Sequence, residues 1–324
     1  MNVGIIGAGN IANTMARTLN QMENAKAYAV ASRDLKRAGE FADKYKIPHT
    51  YGSYEELYQD KNVDLIYIAT TISHHAEQIK AALLNGKNVL CEKAFTLNAA
   101  QAKEVLALGR EKKLLVAEAI WTRYMPMRKT MDEILAKNLI GEIHALSANL
   151  AYPVHNVERL GKLELGGGAL LDIGVYPVNF ALMHFGDKIK KIGSTLIPYK
   201  TGVDAMSSVN FSYDDGKIAF LQFGMLYRSD RRGIIYGDKG YIEFLNINNC
   251  AGIRVYNTDD KLIASFDPPP QLTGFEYEVE ACRKAIESGS SECPEMPHRD
   301  IIRVMETMDA IRAIWGLRFP GEPA

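Results

Sequence analysis

The strand-like run Val3-Gly4-Ile5-Ile6 leads directly into Gly7-Ala8-Gly9-Asn10-Ile11-Ala12, a G-x-G-x-x-A turn followed at once by helix-forming sequence. Glycines at this spacing suit a bound pyrophosphate. The first permits the tight turn, the second lets the anion approach the backbone, and the small third residue lets the helix pack on the sheet. The helix N-terminus adds free N–H groups and a positive dipole end. Gly7, Gly9, Asn10 and Ile11 are therefore candidate dinucleotide contacts. After the second strand, where an acidic residue would bind the adenosine ribose, the chain reads Ala31-Ser32-Arg33-Asp34, with Lys36 and Arg37 following. Ser32, Arg33 and Arg37 suit a 2′-phosphate, because a guanidinium fork matches an anion better than a neutral ribose. Asp34 argues mildly the other way unless it caps the next helix. The expected cofactor is NADP(H) in preference to NAD(H).

Two further groups offer proton chemistry. Cys91-Glu92-Lys93-Ala94 closes the strand Asn88–Cys91, which places Glu92 and Lys93 at the carboxyl edge of a parallel sheet, where doubly wound folds bind ligands. A surface ion pair is the competing description. Thr70, just after the strand Val63–Ala69, is counted as a further cofactor contact. Downstream, Gly166-Gly167-Gly168 precedes Leu171-Asp172-Ile173-Gly174-Val175-Tyr176, and Asp172 and Tyr176 stand at i and i+4, on one helix face. Tyrosine serves as a general acid when a nearby cation lowers its usual pKa of about 10. Lys93 is a suitable cation if the fold brings the two together. On residue type alone, a buried structural tyrosine is the commoner use.

The elements around these residues set the fold class. From residue 1 to about 120, short apolar strands alternate with helical stretches (Leu35–Tyr45, His75–Leu84, Ala99–Lys112), the rhythm of βαβ units. After Trp121 come a helix near Met127–Lys137, a strand His144–Leu150 and a helix Ala169–His184. A series of strands to about Phe266 follows, broken by Asp-Asp-Gly, Asp-Lys-Gly and Asp-Asp-Lys turns. Helices near Phe275–Glu287 and Arg299–Trp315 end the chain. The expected architecture is α/β: an N-terminal Rossmann parallel sheet over 1–120, then a C-terminal α+β domain over 121–324 with a large, mainly antiparallel open sheet. The terminal helices are expected to pack back on the first domain. The later strands have no subsequent helix long enough to cover their second face, so a homo-oligomer, most simply a dimer through that sheet, is expected.

Composition narrows the partners. A net charge of −1, with 24% charged and 47% hydrophobic residues, gives no electrostatic footprint for nucleic acid or an anionic membrane. Cys91, Cys250, Cys282 and Cys293 form no metal-ligand spacing and read as reduced thiols. No metal is expected. No uninterrupted apolar run reaches the roughly 18 to 20 residues of a membrane span, and a cytoplasmic location is expected.

Four stretches together resemble the glucose-fructose oxidoreductase, inositol dehydrogenase and rhizopine-catabolism family (Gfo/Idh/MocA), and within it the dihydrodiol dehydrogenase-like branch. They are GIIGAGNIA at 4–12, GKNVLCEKA at 86–94, EAIWTRYMP at 118–126 and LGGGALLDIGVYPVN at 165–179. The resemblance implies that Lys93 and Tyr176 are the catalytic pair, that Trp121 and Arg123 touch the cofactor, and that His75 matches the histidine opening the helix after the fourth strand. Asp172 is expected to position the substrate or the pair. Two departures stand out: Ala94 replaces a usual proline and Ile72 a frequent polar residue. The implied activity is hydride transfer between nicotinamide and a carbinol or carbonyl carbon of a small sugar-like, cyclitol, dihydrodiol or dicarbonyl substrate. The alternatives are a non-catalytic dinucleotide-binding regulator and an NAD-assisted glycosidase. Arg159 is left open between a polar substrate and a helix end.

Overall fold

The computed structural model describes residues 1–322. The chain divides into two compact units, Met1–Tyr124 with Pro270–Ile302, and Met125–Pro269 with Arg303–Ala324, whose last two residues lie outside the described ones. Pro270–Ile302 thus belongs with the first unit. The reason is visible in its side chains. The Phe275 ring lies 4.8 Å from that of Trp121, Asp300 pairs with Arg123 at 2.8 Å, and His298 Nε2 meets the Val116 carbonyl at 2.9 Å.

In the first unit the chain runs β1 (Asn2–Ile6), α1 (Asn10–Leu19), β2 (Lys26–Ala31), α2 (Leu35–Tyr45), β3 (His49–Tyr51), α3 (Tyr54–Gln59), β4 (Leu65–Ile68), α4 (His75–Leu84), β5 (Asn88–Glu92), α5 (Ala99–Lys112) and β6 (Val116–Ala119). Its six strands pair in parallel in the order β3-β2-β1-β4-β5-β6. Strand order reverses between β1 and β4, and a doubly wound sheet opens its ligand crevice at the carboxyl ends of such a switch point. β4 is buried along its whole length, so it shows no alternation of apolar and polar residues. The short β3 and α3 have no counterpart in the sequence reading, although Ser53 and Glu56 form a capping box at the start of α3.

The second unit holds α6 (Pro126–Ala136), β7 (Ile143–Ala151), a π-helical turn Leu170–Gly174 that continues into α7 (Val175–Phe185), then β8 (Ile189–Pro198), β9 (Asp204–Tyr213), β10 (Ile218–Gly224), β11 (Gly233–Gly237), β12 (Gly240–Leu245), β13 (Gly252–Asn257) and β14 (Leu262–Phe266). The eight strands are ordered β14-β13-β12-β11-β7-β10-β9-β8, and only the β7–β10 pair is parallel. The strands alternate as a sheet with one covered face should: on β10, Ala219, Leu221 and Phe223 are buried while Phe220 and Gln222 are exposed. The helical turn approaches this sheet closely, because a Cβ on Gly174 would lie 2.9 Å from the Phe223 ring.

Helices α8 (Glu276–Glu287) and α9 (His298–Trp315) complete the chain, and the unit boundary at 302 falls inside α9. The stripe Ile301, Val304, Met305, Met308 and Ile311 is buried core. The helical stretch Leu163–Phe185 does have the length and apolar character of a membrane span, which inspection for an unbroken apolar run does not detect, and 83% of its apolar window is buried inside the protein. All four cysteines are free and buried.

Candidate functional site

The glycine turn is built as its sequence requires. Gly7 takes φ +93°, where a Cβ would meet the Ala69 carbonyl oxygen at 2.9 Å, and its N–H donates to the Ala31 carbonyl at 3.0 Å. The turn is thereby pinned between the ends of β2 and β4. Gly9 is the N-cap of α1, makes no side-chain cap, and would place a Cβ within 4 Å of nothing. The first N–H groups of α1 lack intrahelical acceptors and carry the positive end of the helix dipole. Asn10 opens that helix and is exposed, and Ile11 is half-buried beside it. A backbone open at this point fits a pyrophosphate.

At the adenosine end, the Ser32 hydroxyl accepts the Asp34 N–H at 3.3 Å, and Asp34 in turn accepts the Arg37 N–H at 3.2 Å. Asp34 is therefore the N-cap of α2. Arg33 and Arg37 are both exposed. Arg37 Nη2 donates to the Ala8 carbonyl at 3.1 Å, which brings its charge onto the glycine turn. Both guanidinium groups also lie by the Tyr54 hydroxyl, to which Arg33 donates; burial raises that hydroxyl's pKa while the two cations oppose the rise. Two cations thus converge beside the turn. Sequence reading passed over Tyr54, whose one signal is its place directly after the Ser53 cap.

The loop after β5 rests on buried polar groups. Glu92 is buried and accepts the Tyr67 hydroxyl. Lys93 follows, half-buried, and its peptide bond to Ala94 is cis. Glu118, 0% exposed, accepts the Phe95 N–H at 3.1 Å; burial pushes its carboxyl up to about 8, against the pull of Arg123. His75 is also 0% exposed. Its Nδ1 faces the Ala94 and Phe95 carbonyls at 3.1 and 3.2 Å, its Nε2 stands 3.3 Å from the Thr70 carbonyl, and burial lowers its pKa to about 4. Through these contacts His75 ties Thr70 to the loop that follows Lys93.

The rest of the expected set divides the same way. The Thr70 hydroxyl, partly exposed, donates to Gln78 Oε1 at 2.6 Å. Trp121 is half-buried against Phe275, whereas Arg123 is 3% exposed and held by Asp300. Thr70, Lys93 and Trp121 keep open surface, whereas Glu92, His75 and Arg123 are buried. Glu118, missed from sequence, had a signal: a lone carboxylate inside the apolar run Leu114–Ala119.

In the second unit, the Gly166–Gly168 turn is closed by its own backbone. Gly168 N–H donates to the Leu160 carbonyl at 2.9 Å, and a Cβ on Gly167 would lie 2.7 Å from the Leu160 and Lys162 carbonyl oxygens. Asp172 falls in the π-helical turn and Tyr176 in the first turn of α7. Such turns are frequent at functional sites. Tyr176 is 8% exposed, and Asp172 Oδ1 accepts Arg159 Nη2 at 2.8 Å. The structure therefore joins Arg159 to Asp172. Lys93 belongs to the first unit and Tyr176 to the second. Among the described residues no group of three His, Cys, Asp or Glu side chains is arranged to hold a metal.

Comparison with known proteins adds to this geometry. A family model described as an oxidoreductase family with an NAD-binding Rossmann fold matches residues 1–119, and one described as the GFO/IDH/MocA C-terminal domain matches 129–243. A trans-1,2-dihydrobenzene-1,2-diol dehydrogenase from Xenopus laevis is 33% identical over 325 residues, covering 98% of each chain. The Homo sapiens protein of that name is 32% identical over 328 residues, covering 98% of this chain and 97% of its own. Among solved structures, a 3-ketoreductase from Actinomadura kijaniata in complex with NADP and TDP-benzene is similar with a TM-score of 0.89 at 27% identity, over 97% of both chains.

Proposed function

We propose, from the premise that this chain belongs to the GFO/IDH/MocA family of nicotinamide-dinucleotide-binding oxidoreductases, that it is a dehydrogenase or reductase using NADP(H) and acting on a carbinol or carbonyl carbon. The observation that carries this reading is the Gly7–Ala12 turn, open at the N-terminus of α1 and set at the reversal of strand order, with Arg33 and Arg37 converging beside it. A bound dinucleotide supplies a hydride donor or acceptor at its nicotinamide C4. The chain's own residues handle the proton and the positioning. In the reductive direction the Tyr176 hydroxyl gives its proton to the carbonyl oxygen, and in the oxidative direction it takes the proton from the carbinol. Lys93 is the cation assigned to assist that proton transfer and to hold the nicotinamide ribose. Asp172, fixed by Arg159, orients the substrate hydroxyls, and Thr70 and Trp121 line the cofactor.

The substrate class is a small vicinal diol, hydroxy-carbonyl or dicarbonyl, of sugar, cyclitol or dihydrodiol type. The names of the relatives, a dihydrodiol dehydrogenase and a ketoreductase, support it. We also propose that the enzyme works in the cytoplasm as a homodimer packed through the outer sheet face, where Phe220 and Tyr236 are exposed. A panel of aldoses, cyclitols, dihydrodiols and dicarbonyls, read by NADPH absorbance, tests the catalytic reading. Turnover of one of these classes is expected. Tight NADPH binding with no turnover across the panel would replace the enzyme reading with that of a dinucleotide-binding regulator.

A further inference from the structure

The helical run that carries Asp172 and Tyr176 starts at Ala169 without a side-chain cap from its own segment. Its first N–H groups have no intrahelical acceptors. They are received by a residue from another element, Asp204, which opens β9. The Leu170 N–H donates to Asp204 Oδ2 at 2.5 Å, and the Ala169 N–H and Asp204's own N–H also bond to this carboxylate. Asp204 is 2% exposed, burial pushes its carboxyl up to about 7, and the charge that acts on it is Arg312 of α9. The glycine before the helix is matched to it. A Cβ on Gly168, at φ +111°, would lie 2.0 Å from Asp204 Oδ1.

A serine, threonine or asparagine at position 169 would cap this helix locally and without desolvating a charge. The chain instead carries Ala169, and Leu170 reaches 34 residues along for a buried carboxylate. A local cap only satisfies N–H groups, whereas a cap delivered from the sheet also fixes the axial position and rotation of the helix against that sheet. We propose that Asp204 is a positioning residue for the reaction, holding the Asp172–Tyr176 face of the helix in register on β9. This rests on the reading of Tyr176 as the proton-transfer group.

A double-mutant cycle on kcat tests it, using Asp204→Asn, Tyr176→Phe and the double variant, with the NADPH dissociation constant measured for each. Asp204→Asn is expected to lower kcat by roughly ten- to a hundred-fold, because a misplacement of about 1 Å has that effect, and to leave NADPH affinity within about two-fold. In the Tyr176→Phe background the same change should cost no more than about two-fold further. Full multiplication of the two losses, or wild-type kcat in Asp204→Asn, would overturn the positioning role. Wild-type kcat in Tyr176→Phe would remove the tyrosine reading, and this proposal with it. Hydrogen exchange on the wild-type protein needs no variant to fold: slow exchange at the Ala169 and Leu170 amides supports the cap, and exchange as fast as at an open helix N-terminus overturns it.

Discussion

Two glycine-rich turns lead into the two helices that matter here, and they serve opposite purposes. At Gly7–Ala12 the glycines keep the N-terminus of α1 open: Gly9 faces no atom within 4 Å and no side chain caps the helix. At Gly166–Gly168 the glycines let the protein fill the same kind of position from within, with backbone carbonyls against Gly167 and the Asp204 carboxylate against Gly168. One helix end awaits an anion from solution, and the other is closed by an anion of the chain. The difference follows from what each helix carries. On the proposed reading, α1 contributes backbone N–H groups that a ligand meets, whereas the Asp172–Tyr176 helix contributes side chains whose placement must not depend on a ligand.

The sharpest way to break this comparison is to remove what the second helix carries. Tyr176→Phe is expected to lower kcat by roughly 10² to 10⁴ while NADPH affinity stays nearly unchanged. Lys93→Met, at the first unit's sheet edge, should damage both, and steady-state kinetics with NADPH titration separates the outcomes. Next in size is a paired glycine test. Gly168→Ala forces a Cβ onto Asp204 at positive φ and should destabilise the protein by about 2 to 4 kcal/mol in urea unfolding. Gly9→Ala should leave urea stability within about 0.5 kcal/mol yet weaken NADPH binding, since an added Cβ meets no protein atom within 4 Å and would occupy the space proposed for the pyrophosphate. Equal stability losses at the two sites would erase the distinction drawn here.

Arg33→Ala sharpens the ligand side. Loss of one charge-assisted contact to phosphate should narrow the preference for NADPH over NADH by about ten- to a hundred-fold. NADH binding as tight as NADPH binding in the wild type would remove the preference altogether. The smallest effect is one of pH. His75, beside the floor of the first turn, has its folded pKa lowered from 6.5 to about 4, so its stabilising contribution is present above about pH 6.5 and is lost as pH falls toward 4. Asp204 has its folded pKa raised from 3.8 to about 7, so its contribution is present below about pH 4 and is lost as pH rises toward 7. Urea stability measured between about pH 4.5 and 6.5 should therefore change slope in opposite directions, downward in His75→Asn and upward in Asp204→Asn, by at most about 1.4 kcal/mol per pH unit.

The first turn was legible in the sequence because its whole logic is local: strand, glycines and helix are contiguous, and Asp34 sits three residues before the N–H that it caps. The alternation of strands and helices likewise revealed the parallel sheet and the mainly antiparallel one. The second turn was only half legible. Three glycines announce a close approach but do not say to what, and the answer lies at Asp204, 34 residues beyond Leu170. Glu118 and Phe95, 23 residues apart, hid in the same manner. His75 was singled out through the resemblance, and only packing shows that all of its surface is covered. The π-helical turn at Leu170–Gly174 has no sequence signature distinct from that of an ordinary helix, and the run was read as one.

The division of the first unit between residues 1–124 and 270–302 also orders events during synthesis. When Tyr124 leaves the ribosome, the six parallel strands are present, but the buried Arg123 still lacks Asp300, Trp121 lacks Phe275, and the Val116 backbone lacks Ser291 and His298. Every strand of the second unit is translated before those partners arrive. The nucleotide-binding half is thus the first to begin, yet it is sealed only after every strand of the other unit has been made, and a nascent chain halted anywhere short of about residue 302 exposes an unfinished Rossmann edge to whatever chaperone or protease is nearby.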